Sequence, residues 1–223
     1  MSCRLHPHSG VENSCQGVSY VYQPGIDPRI VVVLACPGEN EEALGFPATG
    51  ETGTRLCRIF EKMRVIDREK YGTACLRNVR IVNASGKVYD SSSQIRKSDI
   101  TSNTHLKSAL DKKPGSPRRL ILLLGQHAIW AYKFIARERR IEGDSVVKFC
   151  HIGQRATKFI AGIDKKHLLD QVAKFFVKCD EDAGEYGWRE FVAENRSVSW
   201  HGGDAPPWMY KDPKSLSVRV KVR

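Results

Sequence analysis

No apolar run in this sequence is long enough to cross a membrane. The longest runs are residues 30–35 and 120–124, whereas a spanning helix needs about 20 apolar residues. The first ten residues, MSCRLHPHSG, also lack the apolar stretch of a secretory signal peptide. These two absences predict a cytoplasmic protein with no membrane partner.

Paired cysteines are missing as well. The seven cysteines are scattered and form no CxxC motif, which predicts free thiols rather than a disulfide framework. One short segment contains four soft ligands, Cys3, His6, His8 and Cys15. Four such ligands suit tetrahedral zinc, but their spacing matches no standard zinc finger. Zinc binding and an ordinary His-rich N-terminus therefore both stay open for this segment.

Acidic residues are fewer than basic ones. Lys and Arg total 36 against 25 Asp and Glu, which gives a formal net charge of +11. Such an excess favours a polyanionic partner, because neutralising phosphates releases condensed counterions. A merely basic protein explains the charge equally well, so charge alone does not assign a nucleic-acid partner.

Buried strands alternate with amphipathic helices along the chain. Mainly apolar segments predict strands at residues 30–35, 79–82, 120–124 and 146–150, and the first and third of them are continuously apolar. Apolar spacing of three and four residues predicts helices at about 54–65, 95–110 and 165–179, and another after residue 125. This alternation is typical of an α/β protein, a three-layer α/β/α sandwich with a four-stranded, mostly parallel central sheet.

The composition divides the chain into three segments. Residues 1–29 are an N-terminal extension, residues 30–179 form the α/β domain, and residues 180–223 are a basic C-terminal extension rich in Gly, Pro and Trp. The chain ends in the alternating segment SLSVRVKVR. That segment predicts either an edge strand or a basic tail that orders only on DNA.

Polar residues follow three of the predicted strands, where open α/β sheets bind their ligands. Four segments at these strand ends resemble, in order, motifs of the uracil-DNA glycosylase superfamily. VVVLACPGENEEALGFPATGETGTRL resembles the motif GEAPGxxExxxGxPFVGxAGxLL of one branch, VRIVNAS resembles its second strand, and LILLLGQHAIWAY resembles its LGxxA turn. VVKFCHIGQRA stands where the superfamily has His-Pro-Ser. Together the four segments cover about residues 30–178.

The resemblance implies a monofunctional DNA glycosylase. Such an enzyme flips out uracil or a C5-modified pyrimidine, hydrolyses the N-glycosidic bond through an oxocarbenium-like transition state, and leaves an abasic site. DNA is then the partner, the protein is a monomer, and its setting is either repair or defence against modified foreign DNA. The cysteine ligands of the close branch's iron–sulfur cluster are not matched around Ser85, so we expect no cofactor and no metal at this site.

The resemblance also assigns roles at the strand ends. Asn83 holds the polar edge of the base, since an amide supplies both a donor and an acceptor; the alternative is a turn cap. His151 donates to the oxygen that becomes negative on the departing base, or else is an ordinary loop histidine, because Ile-Gly replaces Pro-Ser after it. Gly153, Gln154 and Arg155 form the DNA-binding loop, with Arg155 entering a groove or gripping phosphate.

The catalytic acid is the missing part of the pattern. Ala35 and Cys36 stand where the superfamily carries a carboxylate or Asn. Another branch has an acid in a GDxSG turn, which aligns with residues 50–53, so Glu51 is expected to orient water or stabilise the oxocarbenium. Its alternative is an ordinary acid near a helix N-terminus. Other candidate acids lie in the first motif: Glu39, Glu41 and Glu42.

The walls of the implied base pocket are small. Gly38 stands where uracil-strict enzymes carry a Tyr, and Ala48 stands where the close branch has a Phe that stacks on the base. Phe46 is expected to replace that Phe, and Cys36 and Pro37 complete the substrate-binding set. Smaller walls admit a larger base, so a C5-modified pyrimidine is as plausible as uracil.

Basic residues interleave with these motifs, and a subset near the strand ends is expected to contact phosphate. They are Arg55, Arg58, Lys62, Arg64, Arg68, Lys70, Arg77, Arg80, Lys112, Lys113, Arg118 and Arg119. Two rival functions stay open. One is a catalytically silent relative that binds DNA or a flipped base, and the other is a nucleotide-processing hydrolase. The hydrolase is less favoured because the sequence has no P-loop and no cluster of metal-binding carboxylates.

Overall fold

The computed structural model describes residues 18–89, 94–113, 115–138, 143–153, 160–161, 165–194 and 199–200. Its strands are β1 (Tyr22–Gln23), β2 (Asp27–Leu34), β3 (Val79–Asn83), β4 (Leu120–Leu124), β5 (Ser145–Phe149), β6 (Ile160–Ala161), β7 (Glu185–Gly187) and β8 (Ser199–Trp200). Its helices are α1 (Glu39–Leu44), α2 (Glu51–Ile66), α3 (Arg68–Tyr71), α4 (Lys97–Thr101), α5 (Thr104–Leu110), α6 (Gln126–Glu138), α7 (Lys165–Asp182) and α8 (Trp188–Glu194).

The central sheet is mixed and has six strands in the order β1-β3-β2-β4-β5-β7. Strand β1 is antiparallel to β3, and the other neighbouring strands are parallel. The α/β class is confirmed, but the prediction of four strands is wrong, because the sheet is mixed and has six. The two further strands, β1 and β7, contain only two and three residues, too few to show a hydrophobic period. Strands β6 and β8 form a separate antiparallel pair.

Helices cover both faces of the sheet. Successive side chains of a strand point to opposite faces, so Ile30, Val32 and Leu34 belong to one buried cluster with residues of α2, α7 and α8. Val31 and Val33 belong to a second cluster with residues of α4, α5 and α6. Because both faces of β2 are buried, its sequence is continuously apolar rather than alternating.

Three of the four helix predictions are correct in position and differ from the structure in extent. The apolar spacing in α2 buries Leu56, Ile59, Phe60 and Met63, and the helix begins three residues before the predicted start at residue 54. The single helix predicted over residues 95–110 is wrong, because α4 and α5 are separate. The Asn103 side chain accepts a hydrogen bond from the Leu106 N–H at 3.1 Å and so starts a new helix there.

Both predicted extensions contribute to the sheet. Strand β1 lies before residue 30, and β7 and α8 lie after residue 179. The rings of Trp188 and Phe191 pack around Phe149, with centroids 4.9 and 5.1 Å away. The division into domains at residues 29 and 179 stays a prediction, and residues 201–223 lie outside the described residues. Among the helices described, none is long and apolar enough to span a membrane.

Candidate functional site

The carboxyl ends of four parallel strands meet at one edge of the sheet. Leu34 of β2 pairs with Asn83 of β3, and Leu124 of β4 pairs with Phe149 of β5. The loops that follow these strands therefore start side by side. Strands β3 and β5 are three strand spacings apart, or roughly 14 Å.

Asn83 is buried at the end of β3, with 1% of its surface exposed. Its Nδ2 donates to the carbonyl oxygen of Tyr20 at 3.1 Å, and its backbone N–H donates to the carbonyl oxygen of Val21 at 2.9 Å. In the part of the chain that the structure describes, the buried Oδ1 has no hydrogen-bond partner. The donor half of the amide thus holds the segment before β1, and the acceptor half is unsatisfied.

His151 stands just after β5, and the buried residues Phe149 and Cys150 hold it there. Its Nδ1 accepts a hydrogen bond from the Gly153 N–H at 3.1 Å, which places the proton of the neutral ring on Nε2. Burial, and then the positive charge of Arg55, lowers the pKa of His151 below its ordinary value. The imidazole is therefore a neutral hydrogen-bond donor through Nε2.

Gly153 is required by the close approach of the His151 ring to the residue 153 backbone. A Cβ on residue 153 would lie 2.8 Å from Nδ1 of His151 and 3.4 Å from Oγ1 of Thr52. Any larger residue would push the imidazole away. Gln154 and Arg155, predicted to contact DNA in the same loop, lie outside the described residues.

Glu51 is the first residue of α2, and it is joined to the His151 loop through Arg55. Its Oε1 accepts from Nη2 of Arg55 at 2.5 Å, and 43% of the Glu51 side chain is exposed. The Arg55 guanidinium is buried, and its Nη1 donates to the carbonyl oxygen of Ile152 at 2.9 Å. The i,i+4 spacing of Glu51 and Arg55 is a sequence signal for their pairing. Nothing in the sequence indicates the contact with Ile152.

The loop after β2 contains a protonated thiol and a helix cap. Burial, and then the Glu41 carboxylate, raises the pKa of Cys36 to about 11, so the thiol cannot act as a base at neutral pH. Oε2 of Glu41 accepts from the Gly38 N–H at 3.0 Å and caps α1. A Cβ on residue 38 would lie 2.7 Å from that oxygen, so the carboxylate occupies part of the space beside Gly38. Glu39 and Glu42 are exposed on α1.

The next part of the loop packs against the start of α2. Ala48 is 1% exposed and belongs to the core cluster on that face, although the resemblance assigns it to the pocket wall. A Cβ on residue 53 would lie 1.7 Å from the Ala48 carbonyl oxygen, so only Gly53 allows this contact. Pro37 is buried and Phe46 is half-buried. Oγ1 of Thr49, which sequence reasoning did not single out, is buried without a partner among the described residues.

Several cations that were predicted to contact phosphate instead form ion pairs with aspartates at the opposite, amino edge of the sheet. Lys112 and Arg119 form ion pairs with the buried Asp144 at 2.8 and 2.9 Å. Lys70 forms an ion pair with Asp180 at 2.8 Å. These side chains stabilise the fold where they stand. Arg58, in contrast, is exposed on α2.

Within the described ranges, no group of three or more His, Cys, Asp or Glu residues could hold a metal ion. The candidate zinc ligands Cys3, His6, His8 and Cys15 lie outside those ranges. A comparison with models of known protein families found no match, and a comparison with curated proteins found none either. The resemblance to uracil-DNA glycosylases therefore depends on the four sequence motifs alone.

Proposed function

We propose that this chain is a monofunctional DNA glycosylase that flips out uracil or a C5-modified pyrimidine and hydrolyses its N-glycosidic bond. One observation supports the proposal most. A neutral imidazole with its proton on Nε2 follows β5, and an amide with an unsatisfied acceptor ends β3, at the same edge of the sheet. Ligands of such sheets bind at this edge.

The chemistry of base release calls for these two groups. When the bond between C1′ and the base nitrogen breaks, the electron pair leaves with the base, water adds to C1′ and loses a proton, and the base anion takes up a proton. The Nε2–H of His151 donates to the base carbonyl oxygen as it becomes negative. Oδ1 of Asn83 accepts from an N–H on the polar edge of the base. Because Asn83 is 1% exposed, the base reaches Oδ1 only after the atoms that cover it move.

Glu51 is the proposed carboxylate that offsets the positive charge of the sugar or orients the water. It begins α2, and α2 contacts the His151 loop through Arg55. Ala35 and the protonated Cys36 thiol, which stand at the superfamily's usual position for this group, cannot do so. Glu39, Glu41 and Glu42 are the remaining acids of this loop, and Glu41 already caps α1.

The direct test is base release from defined DNA. The protein is incubated with single- and double-stranded oligonucleotides that contain uracil, a thymine mismatch or a bulky C5-modified cytosine, and abasic sites are cleaved with alkali. We expect strand cleavage at one of these bases and none in unmodified DNA. Absence of cleavage with all substrates would contradict the glycosylase proposal.

The charge of Glu51 is tested by Glu51→Gln, which keeps the volume of the side chain. We expect single-turnover base release to fall by roughly two orders of magnitude, in line with general-base contributions, with DNA binding retained. The matched control is Glu69→Gln, an exposed change on α3 at the amino edge of the sheet. Equal rates for Glu51→Gln and wild type would remove Glu51 from the mechanism and transfer the role to Glu39, Glu41 or Glu42.

A catalytically silent base or DNA binder is the second candidate. The observation that favours it is the absence of an acid at residues 35 and 36, together with the thiol pKa of about 11 at Cys36. Such a protein binds DNA with an affinity that falls linearly in logarithmic salt concentration and releases no base. The same oligonucleotides, with binding measured beside cleavage, separate the two candidates.

A further inference from the structure

We propose that Arg55 is a positioning residue that sets the direction in which the His151 imidazole donates its hydrogen bond. This inference rests on the proposed glycosylase function, because that function gives His151 its role. Arg55 is 7% exposed, and a guanidinium is seldom buried to that extent unless it is paired. Its partners are the Glu51 carboxylate and the Ile152 carbonyl oxygen.

The contact with Ile152 acts on His151 through a single peptide group. The carbonyl of Ile152 and the N–H of Gly153 belong to the same peptide bond, which is planar and trans, so the two groups point in opposite directions. Arg55 holds the carbonyl oxygen at 2.9 Å, and the N–H donates to Nδ1 of His151 at 3.1 Å. Fixing the oxygen therefore fixes the direction of the N–H.

That N–H decides which imidazole nitrogen is protonated. With Nδ1 occupied as an acceptor, the ring proton is on Nε2. A cation on the carbonyl oxygen also polarises the peptide and makes its N–H a stronger donor. The positive charge of Arg55 further disfavours a second proton on the ring. The path runs from Glu51 through Arg55 and the Ile152–Gly153 peptide to His151.

The test measures His151 itself by long-range ¹H–¹⁵N NMR on the full chain, with His151→Gln to assign its signals. Arg55→Met removes the charge and keeps much of the volume. We expect it to mix the two ring tautomers and to raise the pKa of His151 toward its ordinary value. Base release should fall roughly 10- to 100-fold, the range expected when a catalytic group is displaced. Lys174→Met, an exposed change on α7, should leave all three readouts unchanged.

Arg55→Lys keeps a positive charge but lacks the planar fork that reaches both partners. We expect the pKa of His151 to stay lowered, because the charge remains, and the two His151 tautomers to mix, because the fork is lost. The proposal would be overturned if His151 kept its wild-type tautomer and pKa in both variants. If Arg55→Met fails to fold, an unchanged His151 tautomer in Arg55→Lys is enough to overturn it. If the wild type releases no base from any DNA, the proposed function fails, whereas the NMR result still decides the role of Arg55.

Discussion

The two edges of the central sheet differ in whether their buried polar side chains have partners. At the amino edge, Asp27 pairs with Arg29 at 2.8 Å, Asp144 with Arg119 at 2.9 Å, and Asp180 accepts from the Tyr71 hydroxyl at 2.7 Å. These carboxylates hold the starts of β2 and β5 and the last turn of α7. The polar side chains at this edge thus stabilise the fold.

At the carboxyl edge, Arg55 is paired, but two other buried polar side chains lack such partners among the described residues. Among the described residues, Asn83 Oδ1 and Thr49 Oγ1 lack hydrogen bonds, and burial lowers the pKa of His151. A buried group without a partner costs roughly 1–3 kcal/mol of stability. Two of the buried atoms without a partner in the described residues lie at this edge, and such atoms are typical of a surface shaped for a ligand rather than for stability. The comparison supports a site at the carboxyl edge.

The largest effect is expected at the amino edge. Asp144 is fully buried, and Asp144→Asn removes the charge that both Lys112 and Arg119 contact. Because this leaves buried cations unpaired, the free energy of unfolding should fall by about 3–5 kcal/mol, as measured by urea denaturation. Asp170→Asn breaks the more exposed pair with Lys62, at 3.3 Å, and should cost at most about 1 kcal/mol. Similar losses of unfolding free energy in Asp144→Asn and Asp170→Asn would show that the buried ion pairs of Asp144 stabilise the fold no more than an exposed pair does.

At the carboxyl edge, His151→Gln should affect chemistry rather than folding. Losing a donor aimed at a developing negative charge typically reduces the rate by about 10²–10³, or roughly 2.7–4 kcal/mol of activation free energy. Single-turnover base release should fall by that factor while the urea midpoint stays within experimental scatter. His105→Gln, an exposed change on α5, controls for loss of an imidazole. A large drop in stability with an unchanged rate would place His151 with the structural residues of the amino edge.

Much of the fold could be predicted because its signals are local. The apolar runs of β2 and β4 follow from burial on both faces, β3 and β5 are interrupted only by Arg80 and Lys148, and the helical spacing in α2 follows from burial on one face. Strands β1 and β7 are too short to carry a period. The break between α4 and α5 depends on a single cap, Asn103, which an otherwise helical pattern hides.

The site was less predictable because its contacts join distant parts of the chain. Asn83 and His151 were placed at strand ends by the apolar segments before them. The bond from Arg55 to Ile152 joins residues 97 positions apart, so Arg55 was assigned to DNA instead. Ala48 aligned with a pocket position, yet it lies in the core because Gly53 allows α2 to pack against its carbonyl. Alignment gives a position along the chain but not the side of the loop that the residue faces.

The smallest expected effect tests the unsatisfied groups themselves. Thr49→Val replaces the hydroxyl with a methyl group of similar size. Because Oγ1 is buried and lacks a partner in the described residues, removing it relieves a desolvation penalty. The free energy of unfolding should rise by about 1 kcal/mol.

The matched control is Thr54→Val on α2. The Thr54 hydroxyl is exposed and lies 3.5 Å from the Gly50 carbonyl oxygen. Its loss should change the free energy of unfolding by less than about 0.5 kcal/mol. Urea denaturation of both variants, with and without an abasic-site DNA, then separates stability from binding. If Thr49→Val stabilises the free protein but weakens its affinity for the DNA, the Thr49 hydroxyl contributes to ligand binding and destabilises the free fold. If Thr49→Val destabilises the free protein, Oγ1 has a partner in the folded state, and the contrast between the two edges fails at this residue.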